Sequence, residues 1–475
     1  MPDTVTTLGG AVFEFCTSLT DIKISKNVES LPHRNYGNRG WNKNGMFEGC
    51  TSLEKIVIPD NITSLGNECF NGCTSLKDVT LSSNLESVAN AEFYGCTALE
   101  NISIPASLKA VSNEMFRGCT SLRSIAFEKG TAIETIGDSA FYDCTVLDDI
   151  TIPETITAVG NSAFVNCTSL KTINIPENVT TLNESIFNGC TALKTVNFAE
   201  KSVLTSISKS AFLNCSAMEE IKLPDGLSDI GENAFTGCSS LTEIILPADV
   251  NAVGTAAFEN CTSLKKAELS DALTAIPERM FNGCTSLETI KIPENVKTIA
   301  VKAFYGCTGM KDAVILNNVS SFGDKSFGYD ADDALISGFV IKGYYNSIAE
   351  DYASSNEIPF ELYGERDYSE LCVGYYIDGE SVIITDCDPD AETIEIPDTI
   401  EKLPVVKIQT FAFKNASMKN IKIPDTVTAI ENGAFINCTS LEKCTLPDAV
   451  TVIPESCFEG CESLEAIEYS DDVTT

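Results

Sequence analysis

Twenty cysteines and a single histidine are the residues of this 475-residue chain whose types invite chemistry, through disulfides, metal ligation or nucleophilic attack. Their spacing points elsewhere. The cysteines fall at 50, 73, 96 and 119, then 144, 167 and 190, then 215, 238, 261, 284 and 307; every step is 23 residues except two of 25, and 438 to 461 is again 23. Parallel rungs about 4.8 Å apart hold successive Cβ atoms near that spacing, beyond the roughly 3.5–4.5 Å that a disulfide spans. A line of thiols without histidines also fails to converge four ligands on one zinc ion. The ladder cysteines are therefore expected to be unbridged and to pack as small buried hydrophobes. Cys372 and Cys387 are the exception to watch, since a hairpin between them is expected to set them opposite one another.

A second constellation lies where Phe13 and Phe47 stand 34 residues apart instead of 23. The insertion, residues 32–45, holds the only histidine, His33, and the only tryptophan, Trp41, with Tyr36, Arg34, Arg39 and Lys43. Insertions in a repeat array map to loops, and Trp, Tyr and Arg dominate binding hot spots. Arg34, Tyr36, Arg39 and Trp41 are thus candidate ligand-binding residues, the alternative being a loop that merely covers exposed rungs. Two acidic runs, Asp386, Asp388 and Asp390, and Asp330, Asp332 and Asp333, invite calcium, but the first lacks the glycine and distal glutamate of an EF-hand loop. Turn chemistry accounts for both. No nucleophile elbow, zinc signature or phosphate loop is present, so no catalytic residue, metal or cofactor is expected.

The elements that position these residues repeat with the cysteines, as C-T-S-L-x-x-I-x-I-P-x-x-V-T-x-I-G-x-x-A-F-x-G. In the copy that starts at Cys50, Leu53, Ile56 and Ile58 alternate as a short strand should, and Pro59 stops it because proline cannot donate to a ladder. A second extended piece carries Ile62 and Leu65, and a tight turn runs from Gly66 through Phe70 to Gly72. One unit is one coil of a solenoid, which buries its apolar residues only when neighbours stack on it. Stacking turns each position into a column. The phenylalanine column runs from Phe13 through Phe47 and Phe70 to Phe327 and resumes at Phe435 and Phe458. The outward strand column reads Lys23, Val57, Thr80, Ser103, Ala126, Thr151, Asn174, Asn197, Lys222, Ile245, Glu268, Lys291 and Val314. Small and polar in the middle, it makes Thr151, Asn174 and Asn197 a second candidate surface, one without an aromatic to stack on a sugar.

The repeat resembles the BspA-type, or treponemal-type, leucine-rich repeat, in C-T-S-L-K-T-I-N-I-P at 167–176 and I-G-E-N-A-F at 230–235. The resemblance spans nearly the whole chain apart from parts of about 320–395. It implies a leucine-rich-repeat solenoid, a right-handed coil with a parallel concave sheet and short 3₁₀ or helical turns and extended pieces on the other side. It further implies a surface-displayed or secreted, extracellular adhesion module that binds a protein, such as host matrix, a host cell or another microbe. A passive stalk and a glycan-recognition module are the alternatives.

Composition agrees with a binding role of this kind. Asp and Glu outnumber Lys and Arg by 68 to 32, a formal charge of −36, which repels nucleic acid. No run approaches the roughly 20 apolar residues that span a bilayer, and no signal peptide opens the sequence. A first array is expected over 1–327, a closing cap with a short helix and strand over 328–366, and a second array over 367–475. The second should open with a hairpin, 372–377 and 381–387, and end within a coil.

Overall fold

The computed structural model describes residues 1–32, 45–316, 319–344, 347–363, 365–367 and 371–469. It divides into two compact units. The first comprises Met1–Leu287, Ala300–Gly309 and Lys325–Asp332; the second comprises Glu288–Ile299, Met310–Asp324 and Asp333–Thr475.

In the first unit most coils contribute one short strand to a parallel ladder. Thr172–Ile175 alternates exposed and buried, with Ile173 and Ile175 inward, and pairs in register with Thr195–Phe198, so that Asn174 faces Asn197. A second ladder is built from two-residue strands, Thr181–Leu182, Ser206–Ile207, Asp229–Ile230 and Ala252–Val253, all parallel. The turn side is bonded coil to coil as well: the amides of Ser185, Phe187 and Gly189 donate to the carbonyls of Lys209, Ala211 and Leu213 at 2.8–2.9 Å. Backbone groups on all three sides thus find partners in the neighbouring rung, as burial requires. The fold is the parallel solenoid that the repeat implies.

Fourteen phenylalanine rings, Phe13 to Phe327, stack along this unit with successive centroids 4.4–5.6 Å apart and planes within 17°. Beside them runs the cysteine column, buried from Cys50 to Cys307. The thiols are more than filler. Each donates to the carbonyl of the phenylalanine one coil earlier, as Cys73 does to Phe47 at 3.1 Å, Cys190 to Phe164 at 3.0 Å and Cys307 to Phe281 at 3.2 Å. The threonine that follows donates its hydroxyl to its counterpart's carbonyl, Thr168 to Thr145 at 3.0 Å and Thr285 to Thr262 at 3.2 Å. Two glycines of the motif serve different ends. Gly95 has φ +68°, a left-handed conformation that Asn166, Asn214 and Asn260 adopt at the same place in other coils. At Gly160 a Cβ would lie 2.5 Å from the backbone nitrogen of Asp138, so the close approach of two coils excludes a side chain.

In the second unit Thr289–Ile292, Asp312–Ile315, Val340–Gly343 and Phe360–Leu362 form one parallel sheet. The α-helix Ile348–Ser355 starts at Ser347, whose hydroxyl accepts the amide of Glu350, and buries Ala349 and Ala353. Val373–Asp378 and Ser381–Cys387 form the expected antiparallel hairpin, and Ser381–Cys387 then pairs in parallel with Leu403–Ile408. One expectation is corrected here. Cys387 stands opposite Val373 in the ladder, while the Cys372 carbonyl accepts the amide of Asp388 at 2.9 Å; Cys387 is a buried thiol and not half of a disulfide. A shift in register after Gly374 moves the pairing by one residue. A second ring column, Phe413, Phe435 and Phe458, has centroids 5.1 Å apart. It begins one coil earlier than the motif shows, because Phe413 and Phe435 are 22 residues apart.

Candidate functional site

Of the residues singled out in the sequence, Thr151, Asn174 and Asn197 are exposed on the strand face of the first unit. Asn174 and Asn197 come together, the Asn197 side-chain amide donating to Asn174 Oδ1 at 2.8 Å. Thr151 is one coil earlier and just beyond the strand Asp149–Ile150. The same face carries a polar depression of about 350 Å³ lined by Lys77, Asp78, Val79, Thr80, Glu100 and Asn101. Arg34, Tyr36, Arg39 and Trp41 lie outside the described residues. Most of both acidic runs forms turns, the amide of Asp390 donating to Asp388 Oδ1 at 3.0 Å and that of Asp332 to Asp330 Oδ1 at 2.9 Å, while Asp386 is buried in the strand Ser381–Cys387. Among the described residues no group of three or more His, Cys, Asp or Glu is placed to hold a metal ion.

The structure adds two arrangements that the motif conceals. On the turn side of the first unit, the residue after each phenylalanine forms a column in which Arg117 sits between Tyr94 and Tyr142, its guanidinium 5.7 and 4.5 Å from their ring centres. Glu114 holds the same guanidinium at 2.7 Å. Such a cation between aromatic faces is a partly exposed cluster of hot-spot residue types. The signal was present in the sequence as aromatic, cation, aromatic at steps of 23 and 25, but that column varies from coil to coil and does not stand out as a motif.

The second arrangement is a pocket of about 390 Å³ in the second unit. Ile315, Val319, Tyr344 and Ala349 line its buried side; Lys297, Ser320, Asn432 and Glu455 line its exposed side. Close by, Lys407 pairs with Glu431 at 2.5 Å and with Glu294 at 3.5 Å, and Thr410 donates its hydroxyl to Glu431 at 2.9 Å. Burial opposes the charge on Lys407, yet Glu431 and Glu294 together outweigh it and hold the ammonium above the ordinary lysine value. Tyr344 and Tyr376 stack with centroids 5.9 Å apart, and Tyr363 meets both edge-on. Burial pushes the Tyr376 phenol up to about 12 and that of Tyr344 further still. These phenols stay protonated across the physiological range, so the arrangement is suited to holding a ligand by packing and hydrogen bonds and contains no activated nucleophile.

Parallel rungs, a stacked ring column and a bonded thiol column together define a leucine-rich-repeat solenoid. A family model for the BspA-type leucine-rich repeat region matches residues 1–39, 43–134, 130–217, 205–332 and 386–475 in six copies. The chain belongs to that family. No curated protein matches it significantly. Among solved structures, it is similar to a leucine-rich repeat protein of Bacteroides ovatus, 24% identical over 84% of this chain and 88% of that one, with a TM-score of 0.55. It also matches a leucine-rich cell surface protein of Faecalibacterium prausnitzii, 23% identical over 66% and 88% of the two chains with a TM-score of 0.32. A third match is the pneumococcal vaccine antigen PcpA, 20% identical over 66% and 80% with a TM-score of 0.41. No helix among the described residues is long and apolar enough to cross a membrane.

Proposed function

We propose that this chain is a non-enzymatic binding module, displayed at a cell surface or secreted, that recognises a protein partner such as a host matrix protein, a host cell or another microbe. The observation that carries this reading is the exposed row Ser103, Ala126, Thr151, Asn174 and Asn197, repeated rung by rung on a hydrogen-bonded ladder. Short side chains on a fixed backbone lose little conformational entropy when a partner covers them. The row offers an extended partner many small contacts. The inserted segment, with Arg34, Tyr36, Arg39 and Trp41, supplies the anchor types that the row lacks, and the acidic remainder repels misplaced contacts.

The test probes the whole chain against extracellular matrix proteins and against a glycan array. Two double variants follow on any hit: Tyr36→Ala with Trp41→Ala, and Asn174→Arg with Asn197→Arg. Binding to a protein that drops at least about tenfold in either variant, equivalent to 1.4 kcal/mol, sustains the proposal. Binding to glycans alone, or protein binding that neither variant weakens, refutes it.

A further inference from the structure

The pocket of the second unit carries an inference that is independent of any protein partner. Its buried side is apolar: Ile315, Val319, Tyr344 and Ala349 are each 5% exposed or less, and Ile348 and Phe411 complete it. Its volume of about 390 Å³ lies in the range of small-molecule sites, roughly 300–1,000 Å³.

Most polar groups around it are already committed. The Ser320 hydroxyl donates to the Lys297 carbonyl at 3.0 Å, the Ser347 hydroxyl accepts the amide of Glu350, and the Thr410 hydroxyl donates to Glu431. What remains is the Tyr344 phenol, buried without a hydrogen-bond partner, and on the rim the Lys297 ammonium, the Glu455 carboxylate and the Asn432 amide. Some lysines of this unit are matched to acids, Lys311 to Glu288, Lys342 to Asp312, Lys407 to Glu431 and Lys422 to Glu395, while Lys291, Lys402 and Lys419, like Lys297, have no ion-pair partner among the described residues. Among the described residues neither Lys297 nor Glu455 has an ion-pair partner, although both line the same pocket. What sets Lys297 and Glu455 apart is their place, two opposite charges on the exposed rim of a pocket whose interior is apolar.

We propose that this pocket binds a small zwitterion with an apolar side chain, an α-amino acid of the leucine or phenylalanine type. The ligand's carboxylate meets Lys297. Its ammonium meets Glu455 and the Asn432 side-chain oxygen, and its side chain enters the apolar interior. The elimination is electrostatic. A ligand with only a negative charge faces Glu455, one with only a positive charge faces Lys297, and an uncharged one leaves both unmatched.

The experiment is calorimetric titration of the full chain with L-leucine and L-phenylalanine, and then with N-acetyl-L-leucine and L-leucinamide, each of which removes one charge. The amino acids should bind saturably at one site, and each derivative at least tenfold more weakly. Lys297→Gln should weaken L-leucine to the level of L-leucinamide and leave L-leucinamide unchanged. Glu455→Gln should do the same with respect to N-acetyl-L-leucine. Absence of amino-acid binding, or derivatives that bind the unaltered protein as well as the parent does, overturns the proposal whatever the variants show.

Discussion

Replacing Phe187 by alanine tests whether the rings are the mechanical core of the first unit. The Phe187 ring is fully buried and stacks on Phe164 and Phe212 with centroid distances of 5.5 Å on both sides. Its removal loses the transfer free energy of the ring and leaves a void, since the flanking rungs are held by backbone bonds and cannot close on each other. Those bonds survive the substitution: the amide at 187 donates to Ala211, and the carbonyl accepts the Cys190 amide at 3.1 Å and the Cys215 thiol at 3.2 Å. The cost is therefore about 3–5 kcal/mol, confined to nearby rungs because each coil contacts only its neighbours. At about 4 kcal/mol, local opening rises roughly 1,000-fold. Native-state hydrogen exchange reads this directly: the amides of Phe164, Phe187 and Phe212 should exchange faster by that factor, and those of Phe47 and Phe281 should not change. Equal acceleration along the whole column, or a loss below about 1 kcal/mol, would refute a nearest-neighbour stack.

Further outcomes follow from the thiols and the glycines. Cys461 is half-buried, and the neighbouring Cys438 thiol holds its own below the ordinary cysteine value, whereas burial raises Cys119, Cys190 and Cys307 to about 12. Iodoacetamide at neutral pH should label Cys461 in the native protein and reach Cys190 only after unfolding. For each raised thiol the unfolded chain ionises first, near pH 8.5, so stability is intact below that pH and falls by about 1.4 kcal/mol per pH unit until about pH 12. A denaturation midpoint that stays level between pH 9 and pH 12 would contradict neutral burial of the column. Gly160→Ala should destabilise by about 1–3 kcal/mol, since the added Cβ meets the Asp138 backbone at 2.5 Å. Gly95→Asn should cost less than about 1 kcal/mol, because Asn166, Asn214, Asn260, Asn415 and Asn437 already serve at that φ in other coils; a Gly95→Asn loss as large as that of Gly160→Ala would remove the distinction.

The solenoid was legible because its determinants recur. A position that must be apolar in every coil shows itself by spacing alone, which is how Phe13 to Phe327 and Cys50 to Cys307 could be placed before any coordinate. What recurs need not be read correctly in kind. Cysteine was legible as a small buried residue, but its hydrogen bond to the preceding phenylalanine carbonyl, 3.0 Å at Cys190, needs the turn geometry and leaves no trace in the spacing. Where the period changes, sequence reasoning fails for a physical reason: Phe413 is 22 residues before Phe435, and the register shift after Gly374 that moves Cys387 opposite Val373 depends on backbone bonds with no fixed residue type. The same argument locates function. A scaffold position is constrained by the coils on either side of it, so a residue such as Phe187 has little freedom to evolve a ligand contact without loss of the stack. Lys297, Tyr344, Phe411 and Glu455 come from stretches 158 residues apart at their ends, and the pocket they share lies around the helix Ile348–Ser355, where the repeat is interrupted. Lys297 and Glu455 themselves stand at exposed, variable positions of regular coils, which the stack leaves free, so charges there can be kept without cost to the ladder.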